Sequence, residues 1–185
     1  IFIIEIIYFL IQNINMKKVS KLDEYLFDLN GYLIIENVLN KKELKDLNKI
    51  LDNLKNLKNK EWAGHVHGHN YGGKEGLNLQ QIYEAGKPFE NLIDHPSWIN
   101  HMQHFVGGKG TFDQLHGPLF IDENFANIRG PGEAIGIHSG NPEGLQRNHY
   151  RYQDGKFHCS QVNILLALTD ICLLYTSDAA DDTSG

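Results

Sequence analysis

Cysteine is scarce in this chain, with two among 185 residues, Cys159 and Cys172. That excludes a disulfide-stapled scaffold and points to a reducing, cytoplasmic setting. Proline is scarce as well, five residues against 18 glycines, so turns are plentiful but a proline-rich disordered tract is excluded. An excess of positive charge is missing: the formal net charge is −6, which gives nucleic-acid binding no electrostatic support. Lys41, Lys42, Lys45, Lys49, Lys55, Lys58 and Lys60 do cluster, but carboxylates are interleaved among them, and the pattern predicts a solvated helix face. Long apolar runs are missing too. Residues 1–11, IFIIEIIYFLI, are too few to span a bilayer and are interrupted by Glu5. They also lack the basic flank and small-residue cleavage site of a signal peptide. No membrane partner is expected. What is present, 41% hydrophobic and 22% charged residues, is ordinary globular composition, enough for one domain with a real core.

The two ends differ in character from the middle. Met16 is followed by Lys17, Lys18 and a well-formed helix start, whereas residues 1–15 are rich in Ile, Phe, Tyr and Asn, whose codons are A/T-rich. Residues 1–15 are therefore expected to be translated upstream sequence, with a hydrophobic anchor as the competing reading. From Cys172 to Asp182 the chain reads CLLYTSDAADD, which resembles an in-frame translation of a sequencing-library adapter; a natural acidic tail is the alternative. On the adapter reading, residues 16–171 are the native part of a single domain. Without Asp178, Asp181 and Asp182 its net charge is −3, and Cys159 is its lone thiol.

Within that part, helices come first. Ser20 and Asp23 form a capping-box pair ahead of Leu22, Tyr25, Leu26 and Leu29 at helical spacing, and Gly31 closes the segment. A short strand-like run, residues 32–35, follows. Asn40 with Glu43 then opens a second helix carrying Leu44, Leu47, Ile50, Leu51, Leu54 and Leu57 on one face. Residues 62–74 are rich in Gly and His and read as loop, and residues 89–105 read as helix. Beyond Gly107, short apolar runs at 115–121, 134–137 and 162–168 alternate with Gly, Pro and Asn turns, a jelly-roll or sandwich pattern. The expected fold class is mainly β with N-terminal helices (α+β). No strand leads into a GxGxxG turn, so a dinucleotide fold is unsupported.

Several segments, in this order, carry a resemblance. They are Phe27, Gly31 and Tyr32 with Glu43 and Leu44; Gly76-Leu77-Asn78-Leu79-Gln80; Asp94-His95-Pro96-Ser97-Trp98; Arg129 to Glu133 ahead of His138; and Phe157 to Asp170. Together they resemble the phytanoyl-CoA dioxygenase family of Fe(II)/2-oxoglutarate-dependent oxygenases, over roughly Ser20 to Ile171. The resemblance implies an incomplete double-stranded β-helix (jelly roll, cupin-like). It also implies Fe(II) held by two His and one carboxylate, 2-oxoglutarate as cosubstrate, and a small-molecule substrate.

By its position in that pattern, His138 is the implied first iron ligand. The motif reads His138-Ser139-Gly140, so Gly140 stands where the family has its carboxylate. Three readings follow, in this order of preference. A downstream acid, Glu143 or Asp154, completes the site; a halide takes the vacant position, as in non-haem iron halogenases; or the ligand is instead His149 or His158. The family's distal His and 2-oxoglutarate-binding Arg would follow Ile171, where the chain has neither residue. The stretch from 141 to 153 reads as a substrate-facing loop, in which Gln146, Arg147, Tyr150 and Tyr152 can face a polar ligand or stand simply exposed.

His65, His67 and His69 form a second cluster. On a strand their imidazoles would share a face, but Gly64, Gly68, Gly72 and Gly73 argue for loop, with adventitious metal binding as the expectation. Two further function classes stand beside the oxygenase: a non-catalytic jelly roll that binds a small ligand, kept open by Gly140, and a His-rich metal-binding protein.

Overall fold

The structure, a computed structural model, describes residues 18–71, 74–106, 119–134, 150–153 and 156–170, with the backbone alone over 150–158. In chain order the elements are helix α1 (Lys21–Asn30), helix α2 (Lys41–Leu54) and strands β1 (Trp62–Ala63), β2 (Val66–His69) and β3 (Leu77–Gln80). A 3-10 turn (Ile82–Ala85), helix α3 (Lys87–Glu90), helix α4 (Ile99–Phe105) and strands β4 (Phe125–Ile128), β5 (Tyr150–Gln153) and β6 (Lys156–Cys159) follow. The architecture is mixed α+β, and the chain divides into two compact units. No described helix is long and apolar enough to cross a membrane.

One unit comprises Leu39–Ile93, Ile121–Glu143 and Ile164–Gly185. Its helix α2 begins as the sequence predicts. The Asn40 side chain accepts from the Lys42 and Glu43 amides at 2.9 and 3.0 Å, and the Glu43 carboxylate accepts from the Asn40 amide at 2.7 Å. Three backbone donors that a helix start leaves open are thereby satisfied. Asn40→Ala should cost about 1 kcal/mol, read as a lower midpoint in urea unfolding, whereas Asn40→Asp should keep the midpoint within a few tenths of a kcal/mol. The lysines of this helix all stand exposed. Lys42 donates to Asp46 at 2.7 Å, and that hydrogen bond raises the lysine's pKa and lowers the carboxyl's.

The opposite stripe of α2 covers a four-stranded antiparallel sheet ordered β1-β2-β3-β4. Leu47, Val66, Leu79, Ile82 and Phe89 form the buried cluster, with Ile50, Leu51, Leu54 and Leu57 packed against it. The leucine stripe is core, as expected, although Leu44 lies at its exposed margin and Leu57 packs on the cluster from beyond the helix end. Gly68 faces this side of β2, and a Cβ there would run into the Lys58 carbonyl and the Leu57 side chain. The segment after α2 lies directly on the strand, with Lys60 N–H donating to the Gly68 carbonyl at 2.7 Å.

The other unit comprises Ile1–Val38, Asp94–Phe120 and Gly144–Asn163. Helix α1 has both halves of its capping box and ends at Gly31, whose φ of +76° suits glycine and whose N–H donates to Phe27 O. Its buried residue is Phe27, stacked on Phe105 of α4 with centroids 4.1 Å apart. Of Leu22, Tyr25, Leu26 and Leu29, the residues whose spacing predicted the core face, Leu26 is half-buried and the other three are exposed. Strands β5 and β6 pair as an antiparallel hairpin.

Expectations about several elements are corrected. Residues 62–74 are not loop: they contain β1 and β2. The span 89–105 is not one helix, because Pro96 lacks an amide hydrogen and its ring disfavours helical geometry in the residue before it; the segment divides into α3, turns and α4. Residues 32–35 are irregular, with Tyr32 and Ile34 exposed. Residues 162–168 are irregular too; Leu168 packs on the core cluster, and its carbonyl accepts from the Asn48 side chain at 2.8 Å. Of the apolar run at 115–121, residues 119–121 are irregular, with Phe120 and Ile121 exposed; the rest of that run, and all but Ala134 of the run at 134–137, lie outside the described residues.

Candidate functional site

The β1–β2 hairpin turns in two residues, since Ala63 pairs with Val66 and Trp62 with His67. Gly64 takes the first loop position with φ of +63°, a conformation that two-residue hairpin loops commonly require and glycine adopts without strain. Side chains then alternate along β2. Val66 and Gly68 face the core, while His67 and His69 face the other way. Strand β3 repeats the alternation: Leu77 and Leu79 face the core, and Asn78 and Gln80 lie in register with His69 and His67. Strand β4 continues the same outer row with Phe125 beside Gln80 and Asn127 beside Asn78.

This face is a row of rings and amides. The Trp62 indole stacks on the His67 imidazole with centroids 4.6 Å apart and planes at 25°. His67 and His69 stand 5.9 Å apart, and Tyr71 meets His69 edge-on at 4.3 Å. The Gln80 amide nitrogen donates to the Tyr71 hydroxyl at 2.9 Å and to Asn78 Oδ1 at 3.0 Å. Asn78 is only 5% exposed, so this amide network satisfies a polar group that would otherwise be costly to bury. None of Trp62, His67, His69, Tyr71, Asn78, Gln80, Phe125 and Asn127 carries a carboxylate or an ammonium. Such a face suits an uncharged polar or planar ligand, or a metal that accepts imidazole.

The three-histidine cluster is therefore corrected in part. Two of its imidazoles share a strand face, while His65 occupies the exposed hairpin corner. Among the described residues no group of three His, Cys, Asp or Glu side chains could hold a metal ion.

In the other unit, the Asp94–Trp98 segment is a structural staple. Ser97 Oγ donates to the Val38 carbonyl at 3.1 Å, and His95 stacks on Trp98 at 4.4 Å. His101 is 2% exposed and places Nε2 3.9 Å from Asp23 Oδ2, the oxygen that caps α1 by accepting from the Ser20 amide at 2.8 Å. Cys159 is a free thiol whose Sγ donates to the Gln161 carbonyl at 3.3 Å, and burial pushes its pKa up.

Of the site residues read from sequence, His138, Glu143, Gln146 and Arg147 lie outside the described residues, as do His149 and Asp154. Tyr150 and Tyr152 belong to strand β5, in register with Cys159 and Phe157, where a loop was expected. His158 is on β6 opposite Arg151. The row built on Asn78 and Gln80 was missed as a face, although the apolar–polar alternation of Leu77-Asn78-Leu79-Gln80 is its signal.

Comparison with known proteins finds no matching family model, no similar curated protein and no similar solved structure.

Proposed function

We propose that residues 16–171 are the N-terminal part of an Fe(II)/2-oxoglutarate-dependent oxygenase domain that acts on a small metabolite. The observation that carries this reading is the two-faced sheet. One face packs on α2 through Leu47, Val66 and Leu79, and the other presents imidazole, amide and aromatic groups. A jelly-roll enzyme needs such a sheet, covered by helices outside and polar toward the ligand space inside. The order of elements supports the same reading. Two capped helices precede the strands, the segment from Gly76 to Gln80 contains β3, and the segment from Arg129 to Glu133 follows β4.

On this reading His138 is a metal ligand, and Glu143 supplies the carboxylate that Gly140 lacks. Bound iron would supply the redox chemistry that couples decarboxylation of 2-oxoglutarate to oxidation of the substrate. The chain's own contribution is orientation: Gln146, Arg147, Tyr150 and Tyr152 are proposed to hold the polar groups of substrate or cosubstrate.

The test is to amplify the transcript from independent source material and assay its full product. The reading frame should continue past Ile171 into sequence with a further His and Arg, and the product should consume 2-oxoglutarate only when Fe(II) is added. Residues 172–185 recovered unchanged before a stop codon, with no 2-oxoglutarate consumption, would overturn the proposal. Gly140 favours one second reading, a jelly roll that binds its small ligand without turnover. That reading predicts heat of 2-oxoglutarate or metabolite binding in calorimetry with no succinate formed.

A further inference from the structure

His67 and His69 are two residues apart on one strand, on the same face, and both are half-buried. Both rings make aromatic contacts, yet among the described residues neither takes part in a hydrogen bond through its ring nitrogens. Four nitrogens are thus left for solvent or a ligand. With metal–nitrogen bonds of about 2.0–2.1 Å, two imidazole centroids that share an ion stand about 4.5 Å apart at a right angle and about 6.3 Å apart when trans. The observed separation of 5.9 Å falls inside that range, so the two rings are close enough to share one ion.

Each ring has an aromatic neighbour. Trp62 stacks on the outer side of His67, and Tyr71 closes against His69. Such contacts narrow the orientations open to the two imidazoles and so lower the ordering cost of binding. Gln80, opposite His67, commits its amide nitrogen to Tyr71 and Asn78. Its carbonyl oxygen remains for a metal-bound water or for the ion.

We propose that His67 and His69 form a bidentate site for a late divalent transition metal, with Cu(II) bound most tightly. Imidazole nitrogen selects for that class, and affinity rises along the series toward copper. The absence of a carboxylate from the face disfavours Ca(II), Mg(II) and Mn(II), which want oxygen ligands. Two protein ligands rather than four give an exchangeable, open site instead of a closed structural one. Nothing in this site depends on the iron centre proposed around His138.

The experiment uses the full chain and its own fluorescence. Of the two tryptophans, Trp62 lies against a proposed ligand, and Cu(II) bound there should quench its emission. Titration with Cu(II) alone should quench the unsubstituted chain in a saturable, single-site step, and Trp62→Phe should remove that step. His67→Ala and His69→Ala should each raise the midpoint about 100-fold, since loss of an outer-shell partner alone costs about 10–100-fold. His65→Ala should leave the midpoint unchanged. Continuous-wave EPR should report two imidazole nitrogens on Cu(II) in the unsubstituted chain and one in each single variant. Far-UV circular dichroism checks that each variant is folded, and His67→Gln and His69→Gln replace any alanine variant that is not. A midpoint within twofold of the original in either His variant, or a quenching step that survives Trp62→Phe, would overturn the proposal and leave adventitious binding at other histidines.

Discussion

Leu79→Ala should remove about 3–5 kcal/mol of folding stability, at the upper end of what a leucine truncation costs. Leu79 is fully buried on β3, inside the cluster of Leu47, Val66, Ile82 and Phe89. Its two cross-strand neighbours are the smallest available, Gly68 on β2 and Ala126 on β4. The leucine therefore fills the space above both. Once it is removed, neither neighbour has atoms to move in, and the helix α2 is held by other contacts along its stripe. The cavity should stay open, and the cost of a truncation grows with the cavity that remains. Urea unfolding followed by circular dichroism reads this as a lower midpoint. Leu79→Met, which nearly conserves volume, should lose less than about 1.5 kcal/mol. Leu29→Ala, at a position 64% exposed on α1, should shift stability by no more than about 0.5 kcal/mol. A Leu79→Ala loss below about 1 kcal/mol would mean that the sheet is not packed on α2 as described.

In the full-length product, His138→Ala should abolish Fe(II)-dependent consumption of 2-oxoglutarate, a drop of about 100-fold or more. Metal binding is shared over few strong bonds, so the loss of one of three ligands removes most of the affinity. His65→Ala is the matched control. It removes an imidazole from the exposed hairpin corner and should leave turnover nearly intact. Gly140→Asp then tests how the missing carboxylate is replaced. If Glu143 completes the site, a second carboxylate crowds it and activity falls. If a halide fills the position, chloride raises product formation by the unsubstituted enzyme and Gly140→Asp removes that dependence. Succinate release with and without chloride distinguishes the two outcomes. Full activity in His138→Ala would reject this ligand and move the search to His149 and His158.

The helix starts were legible because their signals are local. Ser20 with Asp23 and Asn40 with Glu43 each satisfy backbone donors within one turn, so the residues that announce the helix also make its bonds. The stripe from Leu47 to Leu54 was legible for a related reason: a helix repeats every 3.6 residues wherever it is placed. Burial on α1 was not. Spacing favoured Leu22, Tyr25, Leu26 and Leu29, yet Phe27 is the residue buried and of those four only Leu26 is half-buried, because only the position of Phe105 decides which side of that helix is covered.

The hairpin of β1 and β2 shows the same division. Its glycines resemble loop residues along the sequence, but in the fold each has a strand's reason. Gly64 makes the corner, and Gly68 leaves room for the Lys58 carbonyl to lie on β2. Neither reason exists until the segment after α2 returns across the strand. The sequence by itself determined the two helix starts and the apolar stripe of α2. Only the tertiary structure decided which face of the sheet is covered, that Trp62, His67, His69 and Tyr71 form one row, and that Asn78 and Gln80 stand across from it. Those relations depend on strand register, and register is set by pairing between segments distant in sequence, where shifting a strand by one residue would turn every side chain to the other side.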